Sequence, residues 1–296
     1  MCAIFGVWGD EFSNTTNNLH SLNLMQLRGP DSFDYLSLPK EKIFFGHRRL
    51  SIIDLSNGGS QPMKSSSGKY LITFNGEIYN HEELTKQIVE KDPSFRKKST
   101  SDTEALVEHI DYFGLEKTLL CLRGMFAFGL YNFEEKTLAL VRDRIGEKPL
   151  YFTRQNKNVF FASEMKAIKN SNPDQLYISN SSLHWFFKQS CIPSPHSIYK
   201  DVFKVMPGEI ITFTDNGNTQ LSTKYWNIKN EASRKIRSLS RTSNEYISLA
   251  ENIIDQAVDE QMASDVPLGA FLSGGIDSSL IVSSMQKHSS QPVDTF

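Results

Sequence analysis

Apolar and polar positions follow two rhythms along this chain, and each predicts a different kind of element. Short β-branched and aromatic runs predict strands: Ile4, Phe5 and Val7 near the start, the stretch 43–53 around Ile43-Phe44-Phe45, and Tyr70-Leu71-Ile72-Thr73-Phe74. Residues 126–131 and 137–141 flank Glu134-Glu135-Lys136, while 151–152 and 159–161 flank 155–158; both pairs predict antiparallel hairpins. Residues 205–213 read as a last hairpin arm.

Helical spacing governs other stretches. Leu19, Leu22, Met25 and Gln26 predict a helix within 14–27, stopped by the turn Arg28-Gly29-Pro30-Asp31. Asn80 is placed to cap a helix with Glu83 at its third position. Ser101 and Glu104 have capping-box spacing, with Leu106, Ile110 and Phe113 following and Gly114 as the stop. Ile247, Ala250, Ile254, Ala257, Val258 and Met262 share one face of a helix over 244–262. Strand runs with separate helices predict an α+β architecture rather than a doubly wound parallel sheet. A polar, mildly basic passage over 229–241 reads as a linker.

Composition narrows the function classes. The 296 residues suffice for two domains, and 39% apolar against 22% charged residues suits a buried core. A net charge of −2 gives no pull toward nucleic acid or anionic membrane, and neither is expected as a partner. With no signal-peptide pattern and no apolar run near the roughly 20 residues of a span, the expected location is cytoplasmic. The three cysteines lack disulfide or zinc spacing; Cys121, in an apolar run, reads as buried, and no activating neighbour stands beside Cys191.

That leaves Cys2. If Met1 is removed, Cys2 carries a thiol and, in its α-amino group, a base of pKa about 7.7–8.0; the bland alternative is the mere start of a strand. Arg48-Arg49 inside a strand reads either as a salt-bridged sheet edge or as a guanidinium for a carboxylate. Asp102, on a helix's first turn, either serves the helix dipole or meets an ammonium group. The charged loop 142–149 reads as a salt-bridged turn or an interface. Near the end an apolar strand enters Ser273-Gly274-Gly275 and a helix starts at once, a loop suited to phosphate although it lacks the Gly-Lys-Ser/Thr ending. A turn capped by Ser273 or Asp277 is the alternative.

Six stretches in order carry a resemblance: the N-terminal Cys2 strand, Arg28-Gly29-Pro30-Asp31, Arg49-Leu50-Ser51-Ile52, Asn75-Gly76-Glu77-Ile78-Tyr79-Asn80, Ser101-Asp102, and Ser273-Gly274-Gly275-Ile276-Asp277-Ser278. Together they resemble the glutamine-dependent asparagine synthetase family. The resemblance implies an αββα sandwich amidotransferase domain over 1–217, a linker over 218–242, and over 243–296 the truncated beginning of an α/β PP-loop adenylating domain. It implies Cys2 as nucleophile, the Asn75 side chain and Gly76 N–H as oxyanion hole, Arg49 for the α-carboxylate of L-glutamine, and Glu77 with Asp102 for its α-amino group. Leu272, Ser273, Gly274, Gly275, Asp277 and Ser278 would bind ATP, with Mg2+ as cofactor and no metal ligand assigned in this chain. L-aspartate or another carboxylate would be the acceptor, and a homodimer is allowed.

Two departures qualify this. Ala3 stands where the family has Gly, so its methyl group is expected to crowd the site. The chain stops at Phe296, so it is expected to lack the acceptor pocket and to be unable to complete the synthetase reaction alone. Alternatives are a relative acting on a sugar acid and a glutamine-binding module without turnover; β-lactam synthetase chemistry is disfavoured because those relatives lack the nucleophile Cys2 supplies.

Overall fold

The computed structural model describes residues 2–172, 176–236 and 242–296. Met1, and with it the question of its removal, lies outside them, as do residues 237–241 of the stretch read as a linker. The chain divides into two units, Met1–Ser51 with Ser56–Asn227 and Ile52–Leu55 with Ile228–Phe296.

In the first unit the order is β1 (Ala3–Trp8), α1 (Thr15–Asn23), β2 (Ser32–Leu38), β3 (Ile43–Arg49), β4 (Met63–Lys64), β5 (Tyr70–Ile78) and α2 (His81–Lys91). Then come α3 (Asp102–Phe113), α4 (Leu115–Cys121), β6 (Gly124–Asn132), β7 (Thr137–Arg142), β8 (Tyr151–Gln155), β9 (Asn158–Ala162) and α5 (Met165–Ser171). Last are α6 (Asn180–Gln189), β10 (Phe203–Lys204), β11 (Glu209–Thr214) and β12 (Thr219–Lys224). The strands form two six-stranded antiparallel sheets, ordered β10-β8-β9-β1-β3-β2 and β12-β11-β7-β6-β5-β4.

Three apolar cores show how the layers stack. Phe5, Phe44 and Ala162 pack with Leu22 of α1 and Ile168 of α5. Ile4, Trp8, Phe45, Leu71, Ala127 and Phe161 fill the space between the sheets. Ile72, Phe74 and Phe128 pack on Leu84, Leu106 and Ile110 of the helices beyond. The arrangement is the αββα sandwich. Because strand side chains alternate, even positions of β1 and odd positions of β3 and β5 face the inter-sheet space. Phe161 lies over its cross-strand partner Gly6 and reaches the other sheet at Gly129; a Cβ on either glycine would fall 2.2 Å or 2.5 Å from its ring.

Several local expectations change. The strand does not end before Asn75-Gly76: β5 continues to Ile78, with Asn75 opposite Ala127 and Gly76 opposite Phe126, since cross-strand pairing overrides the turn preference of Asn-Gly. Asn80 does not cap α2; its side chain bonds Cys121 O at 3.1 Å and Arg123 N at 2.8 Å. Ser101 caps α3 through Thr103 N, but Glu104 accepts from Lys98 and Ser99 instead of closing the box. Cys121 is exposed, with Sγ turned to Lys117 O. Strand β12 occupies 219–224 of the stretch read as a linker.

The second unit contains α7 (Ile228–Ile236), α8 (Ser243–Gln261), β13 (Gly269–Ala270), α9 (Ile276–His288) and β14 (Asp294–Thr295). Thr242 and Glu245 form a complete capping box on α8. Strands β13 and β14 pair in parallel across α9, a β-α-β unit. Of the apolar stripe expected on α8, Val258 alone is buried. Among the described residues no helix is long and apolar enough to cross a membrane.

Candidate active site at one end of the sandwich

Cys2 immediately precedes β1 and is half-buried against the end of β3. Leu50 N–H donates to Cys2 Sγ at 3.4 Å, and the thiol in turn lies 3.6 Å from Leu50 O. Burial pushes the thiol pKa up; the Leu50 backbone bond opposes this, and the charges of Asp102 and Arg49 act in opposite directions. A thiol so held needs a base before it can attack.

The turn at 28–31 builds this corner. Arg28 Nε donates to Cys2 O at 3.1 Å, Asp31 N–H to Arg49 O at 3.1 Å, and Asp31 Oδ2 accepts from Ser51 N at 2.7 Å. Gly29 lies against β3 so closely that a Cβ would be 2.3 Å from the Arg48 carbonyl carbon. Ala3 does not crowd the site. Its side chain belongs to the outer core with Phe5 and Val7, on the opposite face of β1 from even positions.

Strand β3 is interior to its sheet, so its arginines do not mark a sheet edge. Arg48 turns outward, to Asn23 Oδ1 at 2.5 Å and over the Phe33 ring at 4.8 Å. Arg49, on the inter-sheet parity, is buried and donates to Ser56 O at 2.8 Å. In the other sheet, β5 presents Asn75 and Glu77 on its inner parity. Asn75 is 1% exposed, and neither its Nδ2 nor its Oδ1 has a hydrogen-bond partner among the described residues. Gly76 packs on β6, where a Cβ would meet Met125 O at 2.2 Å. Asp102, buried at the start of α3, accepts from Ile78 N at 2.9 Å. Burial lifts its pKa to about 6, opposed by the Ile78 and Thr103 amides and reinforced by Glu77. Glu77 is itself pushed up by burial and pulled down by Lys148.

Lys148 is the residue that sequence reasoning missed. It is 6% exposed, its ammonium is disfavoured by burial, and the charges of Glu77, Glu147 and Cys2 raise it again, so it stands within electrostatic reach of the corner. Its loop is not a salt-bridged turn. Asp143 is buried and accepts from the backbone N–H groups of Ile145, Gly146, Glu147, Lys148 and Phe126. Arg142 donates to the carbonyls of Lys148, Val205 and Gly146. Charge density alone gave no sign that the partners are backbone groups.

In the second unit, the Ser273–Ser278 loop is exposed and Gly274 has φ +80 with open space where a Cβ would stand. Gly275 stands at the N-cap of α9 with no side-chain cap, and Ser273 Oγ lies 3.0 Å from Ser278 Oγ. Neither Ser273 nor Asp277 caps the helix, so first-turn N–H groups there are not taken by a cap, which suits phosphate oxygens. Among the described residues no three His, Cys, Asp or Glu gather to hold a metal ion.

The αββα layers, with a cysteine opening the first inner strand, define an amidotransferase type of fold. Solved structures agree: glutamine phosphoribosylpyrophosphate amidotransferase from B. subtilis, complexed with ADP and GMP, superposes with TM-score 0.54 at 19% identity, covering 100% of this chain and 65% of that one. The likeness concerns fold alone. The chain belongs to the glutamine amidotransferase domain family, whose model matches residues 1–226, and an asparagine synthase model matches residues 249–296. Asparagine synthetase [glutamine-hydrolyzing] 1 of Bacillus subtilis (strain 168) is 36% identical over 288 residues, covering 96% of this chain and 43% of the relative. Asparagine synthetase [glutamine-hydrolyzing] 3 of the same organism is 30% identical, covering 100% and 48%. Amidase chyE of Penicillium rubens is 31% identical, covering 88% and 37%. The chain thus spans about half the length, or less, of these curated relatives.

Proposed function

We propose that the first unit hydrolyses L-glutamine at Cys2, and that its ammonia serves an ATP-dependent amidation of L-aspartate to asparagine. The observation that carries this reading is the Asn75 amide, buried on the inner face of β5 with both polar atoms unbonded. A buried amide left without partners costs stability unless a ligand uses it.

With Met1 removed, the Cys2 α-amino group takes the thiol proton and the thiolate attacks the glutamine side-chain carbonyl. Asn75 Nδ2–H and Gly76 N–H would receive the developing oxyanion. The C–N bond breaks, ammonia leaves with the returned proton, and water then cleaves the thioester to glutamate. Arg49 would hold the substrate carboxylate, and Asp102 with Glu77 its ammonium group. The Ser273–Ser278 loop, with Leu272 beside it, would grip the phosphates of ATP with Mg2+. There the aspartate carboxylate would attack the α-phosphorus of ATP with release of pyrophosphate, and ammonia would then displace AMP from the acyl-adenylate to give asparagine. Cytoplasmic glutamine and ATP are the pools such an enzyme would draw on.

The test is glutamate release from L-glutamine by protein whose mass shows loss of Met1. Release in the parent and none in Cys2→Ala supports the reading; equal release in both overturns it.

A further inference from the structure

Strand β5 lies between β6 and the short β4, and the two ladders use alternate residues. Phe133 N–H donates to Lys69 O at 2.9 Å and Tyr79 N–H to Arg123 O at 2.9 Å, both in the register that pairs β5 with β6. Odd positions of β5 therefore spend their backbone groups on β6, and even positions turn theirs to the other edge. On that edge the pairing with β4 ends at Ile72. Three even N–H groups remain beyond it, those of Phe74, Gly76 and Ile78.

Side chains take the two outer ones. Phe74 N–H donates to Gln61 Oε1 at 2.6 Å, and Ile78 N–H to Asp102 Oδ2 at 2.9 Å. Gly76 N–H, between them, meets no acceptor among the described residues. Gln61 is 6% exposed, and chemistry sets its orientation. A backbone N–H only donates, so the atom at Phe74 is the amide oxygen, and the Nε2 end donates to Thr103 Oγ1 at 3.1 Å. Thr103 is buried in the first turn of α3, directly after Asp102. One helix end thus backs both side chains that grip β5, two residues to either side of Gly76.

A longer β4 would have bonded Gly76 along with its neighbours, because a strand partner takes every second N–H in turn. Single side chains can satisfy Phe74 and Ile78 and skip the residue between. We propose that Gln61 is a positioning residue for the oxyanion hole: standing in for the missing strand at Phe74, it fixes the backbone that presents Gly76 N–H and the Asn75 amide to the substrate oxygen. This rests on the glutaminase reading above and adds to it the device that keeps one N–H of a buried edge open.

Two variants and one spectroscopic measurement test it. Gln61→Met keeps the length of the side chain and removes its acceptor. Misplacing a catalytic group by about 1 Å costs on the order of 10²-fold, so kcat for glutamate release should fall by about that factor. KM should stay within about threefold, since Arg49, Glu77 and Asp102 are untouched. Thr103→Val frees the Nε2 end alone and should lower kcat by less, again at near-parental KM. In 15N-labelled Cys2→Ala protein, saturating L-glutamine should move the Gly76 amide proton downfield as it gains an acceptor. Adding Gln61→Met should abolish that shift while calorimetry still finds glutamine bound. A full shift in the double variant overturns this inference alone. So does parental kcat in folded Gln61→Met, or in Thr103→Val should Gln61→Met not fold. Failure of the parent to bind or hydrolyse glutamine overturns the glutaminase reading and this one with it.

Discussion

Replacing Asp102 with Asn separates what the carboxylate does for folding from what it does for the substrate. In the native protein burial raises its pKa from the ordinary 3.8 to about 6. The folded protein therefore binds more protons than the unfolded chain between those values, and the group's contribution to stability falls as pH rises through that window. At 1.36 kcal/mol per pKa unit the loss by pH 7.5 is about 3 kcal/mol. Asparagine resembles the protonated acid and can still accept from Ile78 N. Urea unfolding should find Asp102→Asn close to the parent at pH 4 and about 3 kcal/mol more stable at pH 7.5. Glutaminase activity should move the other way, with kcat/KM down about 10²–10³-fold, the scale of breaking a buried ion pair. Parental KM for glutamine should also rise as pH falls below about 6. A stability difference independent of pH, or a variant less stable at pH 7.5, would refute the reasoning.

Two further substitutions probe the corner. Asn75→Ala should lower kcat about 10²–10³-fold while leaving KM near the parent value, with no loss of melting temperature because it removes an unbonded buried amide; steady-state kinetics and a thermal melt decide it. Asp143→Ala strips the acceptor from five backbone amides. It should cost at least about 3 kcal/mol in urea unfolding, and parental stability would show that the loop does not depend on this carboxylate.

The strands were legible because a strand buried on both faces must be apolar almost throughout, as Ala3–Trp8 is. Residues whose partners lie far along the chain were less so. Asn75-Gly76 looked like a strand end because β6, which continues the ladder, is some fifty residues away in sequence. Asn80 and Glu104 had the residue types of helix caps but bond loop backbone instead, Asn80 to Cys121 and Arg123 some forty residues on and Glu104 to Lys98 and Ser99 just before its helix. At the candidate site, Cys2, Arg49, Asn75 and Asp102 stood out through motif order. Lys148 did not, because it sits in a loop whose charges masked its burial. Even Ala3 was misjudged from adjacency to Cys2, since neighbouring strand residues occupy opposite faces.

Phe161 ties the two sheets together through Gly6 and Gly129. The ring fills space that exists only because neither glycine has a side chain. A methyl group at either position collides with the ring, and a smaller residue in place of the ring leaves a void between the sheets. No single exchange among the three is neutral, so a lineage can alter this joint only by compensated steps. The distance between the sheets, with Cys2 beside one and Asn75 on the inner face of the other, is thereby shielded from gradual drift.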